Sequence, residues 1–132
     1  MIVADTNLVA YTVIPGAATR DAERVRKRDH DWTAPSLLRF ELMNVIAKEC
    51  KGNRLSRDGA LRTMRRGMNL VKVSKLVSDP LFIFNTCLAT GCSTYDLEFV
   101  WLAMELAIPL VTADQQILRA FPTVAVDVAT FA

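Results

Sequence analysis

The chain alternates short apolar runs with longer stretches in which apolar residues recur at helical spacing. Residues 1–4 (MIVA) form an apolar run that ends at Asp5 and predict a short buried strand. Residues 6–13 predict a helix stopped by Pro15-Gly16, and residues 19–28 a polar helix. A short strand follows at 31–34. Residues 36–51 predict a strong helix with Gly52-Asn53 as its stop, and residues 56–68 a basic amphipathic helix. Alternation and β-branched content predict a strand over 70–76. Two helices, 79–89 and 94–107, are separated by Gly91. The pattern closes with a strand at 108–112, a short helix at 115–120 and a last strand at 124–128. There is no internal repeat, linker or low-complexity segment. Strands alternating with helices predict an α/β fold, a three-layer α/β/α sandwich around a mainly parallel sheet. Such sheets bind ligands at the carboxyl ends of their strands.

With 132 residues, 52% hydrophobic and 23% charged, the chain is expected to be one globular domain, 1–132, and not disordered. The net charge of +2 hides a segregation. Fifteen of the 16 Lys and Arg lie between Arg20 and Lys75, against seven of the 14 acids, so that segment carries +8 and the remainder −6. A basic half beside an acidic half suits a protein that holds a phosphate backbone and a cation together. Solvated helix faces would show the same excess. The three cysteines (Cys50, Cys87, Cys92) form no CxxC pair, and the one histidine is His30, so no zinc spacing is present. A reduced cytoplasmic protein is expected. The N-terminus lacks the basic leader of a signal peptide, and the uncharged stretch 80–95 is too short and too polar to span a membrane.

Four carboxylates carry the candidate chemistry. Asp5 and Asp114 each follow a strand and precede a helix. Each suits a helix N-cap, yet a parallel sheet also places both along one edge. Asp96 lies three residues after Ser93, a capping-box variant that sets an acid at a helix start. Glu41 sits among Leu37, Leu38, Phe40, Leu42, Met43, Val45, Ile46 and Ala47, on a helix expected to be largely buried. An ionised glutamate there needs a partner: Lys48 at helical spacing, or a bound cation. Two carboxylates about 5 Å apart repel by roughly 3 kcal/mol at an effective dielectric near 20. A divalent cation would remove that cost, and all-oxygen ligation selects Mg²⁺ or Mn²⁺ over zinc. Such an ion can ionise water and neutralise charge on a phosphate, which is the chemistry of phosphodiester hydrolysis.

Four segments, "VADTN", "FELMNV", "STYDLEFVWLA" and "LVTAD", occur in the order seen in PIN-domain ribonucleases. The chain most closely resembles the VapC toxins of toxin–antitoxin pairs, over nearly its whole length. The resemblance implies that Asp5, Glu41, Asp96 and Asp114 form an acidic metal site. It implies that Asn7 and Thr112 support that site by hydrogen bonding. It further implies an endoribonuclease dependent on Mg²⁺ or Mn²⁺, an RNA substrate, a small VapB-like antitoxin partner and a homodimer. Two departures stand out. Gln115 and Gln116 follow Asp114 where many relatives have a further acid, which leaves a second metal open. Leu97 stands where a small residue is common.

Other classes fit less well. A haloacid-dehalogenase-type phosphatase needs a second Asp two residues after the first, where this chain has Asn7. A receiver domain needs adjacent early acids and a lysine on a late strand. A serine or cysteine hydrolase lacks its nucleophile elbow. A non-catalytic PIN-like module that binds RNA or a partner, and a stand-alone RNA-processing nuclease, stay open. Phe82, Phe84, Phe99 and Trp101 are candidates for an interface, although aromatics at helical spacing more often belong to a core.

Overall fold

Five three-residue strands form one sheet in which every pairing is parallel. In this computed structural model, which describes residues 1–132, they are β1 (Ile2–Ala4), β2 (Trp32–Ala34), β3 (Val71–Val73), β4 (Leu110–Thr112) and β5 (Ala125–Asp127), in the spatial order β3-β2-β1-β4-β5. Eight helices flank the sheet: α1 (Thr6–Val13), α2 (Thr19–Arg28), α3 (Leu37–Lys51), α4 (Arg57–Asn69), α5 (Pro80–Thr90), α6 (Thr94–Leu106), α7 (Gln115–Ala120) and α8 (Val128–Phe131). The architecture is the three-layer α/β/α sandwich that the alternation of elements predicts. β1, β2 and β4 are buried at every position, as strands covered on both faces must be. The core joins Ile2, Val3, Leu8 and Trp32 to Leu38, Leu42, Phe99, Leu102 and Leu110.

The chain moves from β1 to β2 and β3 on one side, then returns to place β4 and β5 on the other. The boundary between β1 and β4 is therefore the point where the strand order reverses, and the carboxyl ends there open a crevice.

Three expectations need correction. The strand expected over 70–76 pairs only from Val71 to Val73. Its neighbour β2 ends at Ala34, and Pro35 has no N–H to continue the ladder. The last strand stops at Asp127, whose carboxylate accepts the Ala129 N–H at 2.8 Å and caps α8, an element the hydrophobic pattern did not announce. Finally, α3 is not largely buried. It buries Leu38, Leu42 and Ile46 on one stripe and leaves Phe40 and Met43 exposed.

Leu97 is fully buried in the core, so the larger side chain is absorbed by packing. The three cysteines are free. No helix is long and apolar enough to cross a membrane.

Candidate acidic active site

The register of the two central strands builds the first half of the site. Val3 pairs with Leu110 and Ala4 with Val111, and the Asp5 N–H donates to the Val111 carbonyl at 3.2 Å. Asp5 therefore leaves the sheet beside Thr112. The Thr112 hydroxyl donates to Asp5 Oδ2 at 2.5 Å, and the Thr6 N–H donates to Asp5 Oδ1 at 2.7 Å. Asp114, two residues beyond β4, accepts the Ile117 N–H at 3.0 Å and so caps α7. Its own N–H donates to Thr112 Oγ1 at 3.0 Å. The buried Thr112 hydroxyl thus ties the two strand-end acids together. Both acids are helix caps and also walls of one cleft, so capping and site formation coincide.

The second half comes from two helices. Glu41 on α3 accepts the Thr6 hydroxyl at 2.7 Å. It does not pair with Lys48; the ion pairs of the molecule are Met1–Asp29, Arg24–Asp21, Arg54–Glu49 and Lys72–Asp31. Asp96 lies in the first turn of α6, where its N–H donates to the capping Ser93 hydroxyl at 3.1 Å. Asp5, Glu41, Asp96 and Asp114 line a single cleft of about 170 Å³, with Thr6, Asn7, Asn44 and Val45 completing its walls.

The charges in this cleft act on one another. Burial pushes Asp5 up to about 6; the Thr112 and Thr6 hydrogen bonds oppose the rise, and the charges of Glu41 and Asp96 add to it. Burial also raises Glu41, against the Thr6 hydroxyl and with the help of the Asp96 charge. Asp96 is raised by burial, lowered in part by Ser93 and raised again by the Asp114 charge. No Lys or Arg pairs with any of the four. The cleft is a concentration of uncompensated carboxylate, chemically suited to a hard cation. As they stand, no three carboxylate, imidazole or thiolate groups are close enough together to hold a metal ion.

All six residues singled out in the sequence lie at this place, in different roles. Asn7 lines the cleft, whereas Thr112 is buried behind Asp5 and acts on the site through it. Sequence reading missed Thr6, whose backbone and side chain bind two different acids. Helical spacing puts Asn44 on the side of Glu41, and it is a wall of the cleft, a role the sequence did not assign to it. Part of the basic segment has structural work. Arg26 donates to the His30 and Leu70 carbonyls and lies over the Trp32 ring, and Arg28 donates to the Phe131 carbonyl. Of the four aromatics considered for an interface, Phe99 is core, Phe82 and Trp101 pack against the core, and Phe84 is exposed.

No protein-family profile matches the chain. Among curated proteins, it is 25% identical to Ribonuclease VapC3 of Pyrobaculum aerophilum over 124 residues, covering 92% of this chain and 95% of that protein. Among solved structures, it superposes on PAE2754 of Pyrobaculum aerophilum with a TM-score of 0.75 and 23% identity, over 98% of this chain and 90% of the other. With four acids gathered at the carboxyl edge of a five-stranded parallel sheet, the chain has a PIN-domain fold of the VapC kind.

Proposed function

We infer that this protein is a divalent-metal-dependent endoribonuclease and the toxin of a VapBC-type toxin–antitoxin pair. The observation that carries the reading is the convergence of four carboxylates from separate parts of the chain on one cleft, without a basic side chain to neutralise them. The likeness to a protein named a VapC ribonuclease supports RNA as the substrate and a small VapB-like antitoxin as the partner.

Asp5, Asp96 and Asp114, with Glu41, are the residues that would hold Mg²⁺ or Mn²⁺. When bound, the ion supplies a nucleophile at neutral pH and neutralises charge that builds on the phosphate. The protein's own contribution is positioning. Thr112 fixes the Asp5 carboxylate, and Thr6 fixes Glu41. Asp114 is held to the start of α7 by the Ile117 N–H. The first turns of α1 and α6 line the cleft, and their positive ends favour a phosphate beside the acids. The basic residues without intramolecular partners, such as Arg62, Arg65 and Arg66, would hold the backbone at a distance from the site.

The test is cleavage of total cellular RNA by the purified protein, freed of any partner, in Mg²⁺ or Mn²⁺, in EDTA, and with Asp5→Asn. Metal-dependent cutting that Asp5→Asn abolishes is the expected result. Folded protein that cuts nothing in either metal would move the reading to a module that binds RNA without hydrolysing it. Cutting restricted to one precursor transcript, with no growth arrest on expression, would instead indicate a processing nuclease.

A further inference from the structure

A second depression adjoins the acidic cleft. It lies between the start of α3, the segment leading into α5 and the start of α6, with a volume of about 360 Å³. Its walls include Phe40, Tyr95, Ser78 and Glu98. Phe40 immediately precedes Glu41 on α3, and Tyr95 immediately precedes Asp96 on α6. The same two helix starts therefore present their acids to the cleft and their aromatics to the depression.

Both rings are largely in water: Phe40 is 58% exposed and Tyr95 63%. Neither belongs to the core, so core packing does not account for them. The Arg39 guanidinium stands 5.9 Å from the centre of the Phe40 ring. The Ser78 hydroxyl donates to Glu98 Oε1 at 2.8 Å. That bond orients the Glu98 carboxylate and leaves the group able only to accept further hydrogen bonds.

We propose that Phe40, Tyr95 and Glu98 form a nucleobase subsite that sets which RNA sequence is cut, with a preference for guanine. The proposal rests on the nuclease reading of the adjacent cleft. An exposed aromatic ring beside a phosphate-binding site is a stacking platform for an unpaired base, and single-stranded RNA is read by stacking combined with contacts to base edges. The carboxylate decides among the bases. Guanine presents two adjacent N–H donors, which a carboxylate accepts together. Adenine and cytosine present an amino group alone. Uracil presents its one N–H between two carbonyl oxygens, which a carboxylate repels.

The experiment is cleavage of a randomised single-stranded RNA pool by the full chain, with both fragment ends sequenced. Wild type is compared with Phe40→Leu, Tyr95→Leu and Glu98→Gln, and each variant is also sized by gel filtration. Wild type is expected to show guanine at one fixed position next to the cut. Each Leu variant is expected to raise KM roughly tenfold and flatten that preference, the loss expected of one base–aromatic stack. Glu98→Gln, which adds a donor, is expected to move the preference from guanine towards bases with carbonyl edges. Wild-type cutting with a cut pattern and KM that all three changes leave intact would overturn the subsite and spare the nuclease reading. A changed oligomeric state with an unchanged cut pattern would also overturn it, and would assign the face to a second copy of the chain. A wild type that cuts no RNA would overturn the nuclease reading and the subsite with it.

Discussion

Asp5 is held by two donors, yet burial and two neighbouring charges still lift it to about 6. Its folded pKa therefore stands above its unfolded value, and the native state binds the extra proton between about pH 4 and 6. A shift of that size costs the ionised native state about 3 kcal/mol. Stability of the metal-free protein is thus expected to rise as pH falls from 7.5 towards 5, which urea unfolding in EDTA at several pH values measures. Asp5→Asn removes the charge and keeps the shape, so it should make the metal-free protein about 1–2 kcal/mol more stable at pH 7.5 while abolishing cleavage. At an ordinary cap the same change would alter stability little, because Asn caps a helix about as well as Asp. Thr112→Val, nearly isosteric, strips the donor from Asp5 and the acceptor from the Asp114 N–H. The expected result is a loss of about 1–3 kcal/mol and a 10–100-fold drop in cleavage, read from unfolding and initial rates.

Among the elements, those with capping chemistry are the most legible. Ser56, Asp79 followed by Pro80, and Ser93 mark the starts of α4, α5 and α6, and each side chain accepts an N–H in the first turn. The ends are less regular. The stop of α3 was legible in Gly52-Asn53, but it is Asn53, at φ 58°, that takes the left-handed conformation there. α6 ends on Ala107 at φ 53°, where a side chain costs energy that glycine avoids. Ala107→Gly should therefore raise stability by about 1 kcal/mol, measurable by urea unfolding and distant from the acidic cleft. α3 was misjudged because its composition is apolar nearly all round. Neighbouring helices cover one stripe of it, and the nuclease reading gives its other faces to the site and the adjoining depression. The strand-like run at 70–76 failed because a strand extends only as far as a neighbour offers N–H and C=O groups.

For the molecule as a whole, the division of charge is the property that function would use. Four acids that have no ion-pair partner meet at the β1/β4 boundary, while several cations of the basic segment are spent on internal bonds. Binding of Mg²⁺ or Mn²⁺ to the native state alone should raise the unfolding temperature. The gain is about 2.7 kcal/mol when the ion is about 100-fold above its Kd. Thermal unfolding with and without each ion checks this. Asp5→Asn should lose most of the shift, and an unchanged wild-type melting temperature would count against the metal site.

The order of elements, the strand-end positions of Asp5 and Asp114, and the capping residues were decided by local sequence. Each depends on periodicity or on chemistry within a few residues. The four acids were visible as a family pattern, but their union was not a local property. It required β1 and β4 to be neighbours in register, so that Thr112 could reach Asp5 across 107 positions of sequence. It also required α3 and α6 to bring Glu41 and Asp96 to the same edge. Which face of α3 is covered, how far β3 pairs, and that Thr6 serves two acids at once were decided only by tertiary structure. These depend on which partner stands across a gap, and periodicity along a single chain carries no record of that.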